Sequence, residues 1–188
     1  MMLLTLDTAA TAWPVTLAEA RADLRIIGTD EDTLVTAQIA TATSVVSEMS
    51  GLELTTQVWS MAVASVSGDL ALPKVPVQSV GSISYYDADG VSQAAVVTDF
   101  HLFKDDFRAT LRPKPGKSWP TLQTRDDALT VSFTAGQLTV PPALKQAVLF
   151  LVAHLYENRE AIAETALSAI PFGVADMVNL HRRGWFGA

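Results

Sequence analysis

The 188-residue sequence predicts an α+β fold: a helical bundle formed by the N- and C-terminal segments, 1–53 and 137–188, with a β-rich insertion at 54–136. Three observations predict it. Apolar residues recur at helical spacing from about Pro14 to Gly51, and again beyond Pro141-Pro142. Between these zones short runs alternate apolar and polar residues. Those runs are punctuated by Gly, Pro and Asp turns.

The first helical zone opens on Thr16-Leu-Ala-Glu19, which reads as a capping box. A short helix carrying Leu17, Ala20 and Leu24 follows, with Gly28 as its expected stop. A second start signal lies at Thr29–Asp32, and Gly51 marks the expected end of that helix. On a helical wheel Leu34, Val35, Ile39, Ala42, Val45, Val46 and Met49 share one arc, the expected core face. The opposite arc holds Thr36, Ala37, Ala40, Thr43, Ser44 and Ser47. A solvated helix face usually carries Lys, Glu or Arg. This one is either exposed and weakly polar or packed against another subunit.

In the middle zone, "TTQVWSMAVA", "VGSISYYDADG", "FHLFKDDFRATLRP" and "ALTVSFTAG" read as strands. Ser67-Gly68-Asp69 and Asp87–Gly90 read as turns. Pro73, Pro76, Pro113, Pro115 and Pro120 fall at strand ends or in loops, where a missing amide donor costs little. In the last zone Pro142 opens a helix whose stripe is Leu144, Val148, Leu151, Leu155 and Ile162. Leu149, Phe150, Val152 and Tyr156 lie elsewhere around the wheel, so this helix is apolar almost all round. Such a helix is buried all round, which in so small a chain points to Phe150 as a contact to a neighbouring subunit. Ile170-Pro171-Phe172-Gly173 interrupts the pattern. A short helix over about Val174–His181 then leads to the tail "HRRGWFGA".

Charged residues make up 18% of the chain, where about 25% is usual. Either the core is large for the length or part of the surface is buried against partners. The net charge of −7 argues against a protein that grips nucleic-acid phosphates. With no cysteine, thiolate chemistry and disulfides are excluded. The N-terminus lacks the basic region of a secretory signal. The uncharged helical stretches Thr33–Ser47 and Gln146–Tyr156 fall short of the roughly 20 apolar residues a membrane span needs.

No catalytic set emerges. His101, His154 and His181 share no helix turn with one another. His154 and Glu157 have the spacing of two metal ligands or of a plain helix-face pair. Asp87 and Asp89 resemble the start of a calcium loop, but later acidic ligands are missing and a hairpin turn fits better. Asp105-Asp106 and Asp126-Asp127 are adjacent acids whose side chains diverge in strands. No serine has a nucleophile-elbow frame, and no glycine set forms a phosphate loop. The reading is therefore non-enzymatic, with no metal and no cofactor. Trp185-Phe186, preceded by Arg182-Arg183, has the composition of a docking tail. Trp59 and Trp119 raise an alternative, a monomeric protein- or carbohydrate-binding module with an aromatic platform in the β-rich zone.

Taken in order, the motifs resemble those of the head-tail connector (adaptor) proteins of long-tailed phages and phage-like gene transfer agents, of the gp6-like/phiE125 gp8 type. They are "PVTLAEARADLRI", "DEDTLVTAQIATAT", "LALPKVPVQSVGSISYYDADG", "SWP", "VSFTAG", "VPPALKQAVLFLVAHLYENRE" and "IPFGVADMVNLHRR". The resemblance covers nearly the whole chain and implies a structural ring, commonly of twelve copies. Such a ring sits below the portal protein at the capsid vertex, with tail-side connector, stopper or terminator proteins beneath it and DNA passing through. It would be made in the bacterial cytoplasm and reside at the head–tail junction of the particle. It also implies a portal-docking C-terminal segment, here Pro171, Phe172, Arg182, Arg183, Trp185 and Phe186. The subunit contact would fall on Thr36, Ala37, Ala40, Thr43, Ser44, Ser47 and Phe150.

Overall fold

Eight strands and four helices, in a computed structural model describing residues 2–158 and 172–182, build the expected α+β architecture. The chain divides into two compact units, Met1–Ala10 with Thr55–Gln137, and Thr11–Leu54 with Leu138–Ala188.

The first unit holds all the strands: β1 (Met2–Thr8), β2 (Gln57–Val63), β3 (Leu70–Ala71), β4 (Val77–Tyr86), β5 (Ser92–Ala95), β6 (Phe100–Lys104), β7 (Ala109–Pro113) and β8 (Leu129–Ala135). A five-stranded antiparallel sheet has the order β1-β2-β8-β4-β5, and a three-stranded one the order β3-β7-β6. β1 corrects the sequence reading, which placed residues 1–53 in the helical part. Leu3, Leu4 and Leu6 suit an extended chain as well as a helix. The backbone groups of Met2–Leu6 pair with Val63–Trp59, and a bulge at Asp7 ends the regular register.

β8 is the centre of the larger sheet. Leu129, Val131, Phe133 and Ala135 are all fully buried, while Thr130, Ser132 and Thr134 point to the other face. Met61 and Ile83, directly opposite Val131 on β2 and β4, are buried with it. Leu70, Phe100, Ala109 and Leu111 supply the buried side of the smaller sheet. β8 ends at Gly136, whose φ of +140° is closed to side chains. A Cβ there would sit 2.3 Å from the Thr55 carbonyl oxygen. The Gly136 amide donates to the Pro76 carbonyl at 2.9 Å, which locks the turn.

The second unit contains α1 (Leu17–Leu24), α2 (Asp32–Ser50), α3 (Pro142–Glu157) and α4 (Phe172–Asn179). The capping box forms: the Glu19 amide donates to Thr16 Oγ1 at 3.2 Å, and the Thr16 amide donates to Glu19 Oε2 at 2.8 Å. Lys145 of α3 donates to the other Glu19 oxygen, so one carboxylate caps α1 and ties it to α3. Tyr156 at the far end of α3 donates its hydroxyl to Glu31, just before α2. Helix α1 stops at Leu24, earlier than the predicted Gly28, because Arg25 itself takes the left-handed conformation at φ 57°. Gly51 caps α2 as expected, at φ 70°, its amide donating to the Ser47 carbonyl.

The buried stripe of α2 is Val35, Gln38, Ile39, Ala42, Thr43, Val46 and Ser50. Thr43, expected on the opposite arc, is 1% exposed, and Leu34, expected in the core, is 38% exposed. The cause is that α2 packs against α1, α3 and α4 together. Its buried arc is therefore rotated toward small hydroxyl residues, which allow close helix approach. Ser50 meets its hydrogen-bond demand locally, donating to the Ser47 carbonyl and accepting from the Leu52 amide. In α4, Val174 and Val178 are buried, one turn apart.

Two measurements check these contacts. Gly136→Ala forces a methyl group into a backbone carbonyl and is expected to destabilise the chain by about 2–4 kcal/mol in urea unfolding; a loss under about 1 kcal/mol would contradict the geometry. Lys145, followed by the Thr16 donors, holds the Glu19 carboxyl down at about 2, against an ordinary 4.5. A carboxyl with a lowered folded-state pKa stabilises above its unfolded value, and the contribution fades as pH falls from about 4.5 through 2. The Glu19 side chain is 42% exposed, so solvent screening keeps the ion-pair part below about 1 kcal/mol. Melting temperatures of the wild type and Glu19→Gln should therefore differ at pH 7 and converge near pH 2; an equal gap at both would rule this out.

Candidate functional site

The exposed side of α2 is the first candidate surface. Thr36, Ala37 and Ser44 are exposed, and Ala40 and Ser47 are half-buried. The Thr36 hydroxyl donates to the Asp32 carbonyl at 2.7 Å, and Thr41 to the Ala37 carbonyl at 3.0 Å. These hydroxyls satisfy themselves on their own helix, so covering this face strands few polar groups. Thr43 is buried within its own chain and is removed from the exposed set. Phe150, on α3, is 42% exposed while Leu144, Val148, Leu151 and Val152 of that helix are buried. Of the C-terminal candidates, Phe172 opens α4 and Arg182 lies exposed beyond it. Pro171, Arg183, Trp185 and Phe186 lie outside the described residues, as does Ile162.

A second surface was missed by sequence reasoning. It is the face of the five-stranded sheet opposite its core. Register places Thr5, Ser60, Ser132 and Ser82 in one cross-strand row, and Leu3, Ala62, Thr130, Ser84 and Ala94 in the next. Neither row contains a charged side chain. The signal was present in the sequence as Thr130, Ser132 and Thr134 alternating along β8, with Ser82 and Ser84 on β4 and Ser60 on β2. It becomes a continuous surface only once the strand order is known.

The acidic candidates are turn elements. Asp87 Oδ1 accepts from the amides of Asp89 at 3.1 Å and Val91 at 2.9 Å, and Oδ2 accepts from Gln93 Nε2 at 2.9 Å. Gln93, followed by the Val91 amide, lowers the Asp87 pKa. The carboxylate organises the β4–β5 hairpin, as the hairpin reading expected. Asp105 Oδ1 accepts from the amides of Phe107 and Arg108, both at 2.7 Å, and so caps the β6–β7 turn. Asp127 pairs with Arg125, whose guanidinium lies 3.6 Å from the Tyr86 ring centroid; this partner lowers the Asp127 pKa. Arg112 likewise pairs with Asp69 and holds its pKa down. His154 and Glu157 do not converge on a ligand. His154 Nδ1 is 3.3 Å from the Asn158 side-chain Nδ2, where Asn158 caps the last turn of α3 by donating to the His154 carbonyl. Among the described residues no group of three or more His, Asp or Glu could hold a metal ion.

Trp59 and Trp119 are structural within the first unit. Trp119 donates its indole N–H to the Gly68 carbonyl at 2.8 Å, and its ring lies 4.6 Å from that of Phe100. It pins the 114–120 loop to the β2–β3 turn. Trp59 stands between Leu6 and Phe133 in register, with the Lys74 ammonium 4.7 Å from its ring centroid. Both residues are half-buried, and each ring is engaged by its own unit, so nothing in these contacts favours the binding-module alternative.

A family profile described as "Head completion protein" matches residues 15–183. No curated protein matches. Among solved structures, a chain in the "Neck of empty GTA particle computed with C6 symmetry" superposes with TM-score 0.80 at 25% identity, covering 97% of this chain and 96% of that one. A chain in the "Virion of native gene transfer agent (GTA) particle" gives 0.79 at 26% identity, with the same coverage. One in the "Neck of native GTA particle computed with C12 symmetry" gives 0.76 at 25% identity, again with 97% and 96% covered.

Proposed function

The chain belongs to the head completion protein family, and from that premise we propose that it forms a ring below the portal, joins the DNA-filled head to the tail, and lets DNA pass through its channel. Its role is structural and lies at the head–tail junction of a phage or phage-like particle. The observation that carries the finer reading is the likeness, over 97% of the chain, to a neck component determined with twelvefold symmetry. A closed ring is built from heterologous contacts, in which one patch meets a different patch on the next copy. The uncharged small-residue face of α2, with Thr36, Ala37, Ala40, Ser44 and Ser47, suits such a contact, and so does the outward Phe150.

On this reading the partners are the portal above and a stopper, connector or tail-terminator protein below. The portal contact falls on the C-terminal segment, with Pro171, Phe172, Arg182, Arg183, Trp185 and Phe186. Arg and Trp make strong interface anchors because they combine large contact area with directional donors. The charge of −7 per copy makes the ring acidic, so that DNA slides through without being retained. The gp6-like subtype and the count of twelve belong to the same proposal.

Removing residues 182–188, which follow α4, should abolish binding to the cognate portal while circular dichroism and melting temperature stay unchanged; unaltered portal binding would refute the docking assignment. The ring should show no measurable affinity for duplex DNA at moderate salt. Tight binding that weakens steeply as salt is added would reverse the proposed character of the channel.

A further inference from the structure

The five-stranded sheet ends in two unpaired strands, β1 on one side and β5 on the other. Among the described residues, no backbone hydrogen bond outside the ladders involves residues 2–8 or 92–95. Each strand therefore presents one open row of N–H and C=O groups. Soluble proteins normally protect such edges with Lys, Pro or an inward charge. Neither strand carries Lys or Pro, and the one charge is Asp7, at the bulge that ends β1. The β1 edge is apolar, and the β5 edge, Ser-Gln-Ala-Ala, is uncharged and flanked by exposed valines. Met2, Leu3 and Leu6 are 53%, 57% and 42% exposed on one side, and Val91 and Val96, flanking β5, are 54% and 60% exposed on the other.

We infer that β1 of one copy pairs with β5 of the next, so that the sheet runs continuously around the ring. This rests on the ring reading above and names its contact. The occupant is a second copy because one chain carries two different, mutually complementary edges at opposite ends of one sheet, which a closing head-to-tail contact requires. The similar chains come from necks computed with C12 and C6 symmetry, both cyclic, which points the same way. The strand directions alternate through β1, β2, β8, β4 and β5, so β1 and β5 run parallel to each other. A rotation of about 30° between copies in a twelvefold ring preserves that sense, and the joint is a parallel pair as long as the short strand β5. At a strand spacing of about 4.8 Å, five strands from each of twelve copies give a sheet roughly 90 Å in diameter. The cross-strand row Leu3, Ala62, Thr130, Ser84 and Ala94 starts on one edge and ends on the other, so it closes on the neighbour's row.

The chain has no cysteine, which makes thiol cross-linking free of background. Leu3→Cys/Ala94→Cys tests the unslipped register, and Thr5→Cys/Ala94→Cys a slip of two residues, which keeps the same face outward. All three positions are exposed, so the variants should melt within a few degrees of the wild type. In particles assembled with either double variant, a short thiol-to-thiol cross-linker should give a ladder of covalent oligomers, and each single variant should give monomer alone. Four results would overturn the inference. The first is rings seen by electron microscopy with no ladder from either pair. The second is a dimer from Leu3→Cys alone, which means β1 meets β1. The third is a cross-link from Leu3→Cys to a different neck protein. The fourth is no ring in any particle, which removes the ring reading together with the edge contact. The first three leave the ring standing, so the two failures are told apart.

Discussion

Everything in the β unit depends on β8 being buried along one side and paired along both edges. Its alternation is strict: Leu129, Val131, Phe133 and Ala135 are fully buried, and the intervening hydroxyl residues point the other way. A register slip of one residue would drive Thr130, Ser132 and Thr134 into the core and expose Phe133. Because β2 and β4 both take their register from β8, a slip there would displace β1 and β5 as well. In the helical unit the corresponding constraint is α2, which packs against all three other helices and takes small residues into its buried stripe.

The sequence made much of this legible, for physical reasons. The capping box, the glycine after α2 and the proline that opens α3 each act within a single turn, and each is where its local chemistry puts it. The turn at Asp87 is legible on the same ground, since its side chain bonds amides two and four residues ahead; the turn at Asp105, inside a run read as strand, is capped in the same way but was not foreseen. What was illegible is set by long-range pairing. Nothing local tells Leu3-Leu4-Thr5-Leu6 that its partner lies some fifty-five residues on. Nothing local marks Thr43 as interior, because its burial is decided by which helices surround α2. The outward sheet face was hidden likewise: Ser60, Ser132 and Ser82 become neighbours only through the strand order.

The two candidate surfaces, one in each unit, are alike in carrying few free charges. Charges that look available in the sequence are engaged in turns or pairs: Asp69 with Arg112, Asp127 with Arg125, Asp99 with Lys117. The Thr36 and Thr41 hydroxyls on α2 turn back on their own helix. Burying such a surface against a partner removes water without stranding charge, which is how contacts form at low desolvation cost.

The threading of the chain through its two units has a consequence for how it folds. β1 waits for β2, β2 for β8, and α1 and α2 wait for α3, so both units interleave along the sequence. Contacts that span fifty to more than a hundred residues are slow to close, because loop entropy must be overcome before they reward the chain. On the ribosome neither unit can be completed until residues beyond Leu129 have emerged. A chain broken off earlier has no central strand and no third helix, so it exposes unpaired strands and apolar helix faces that chaperones and proteases recognise.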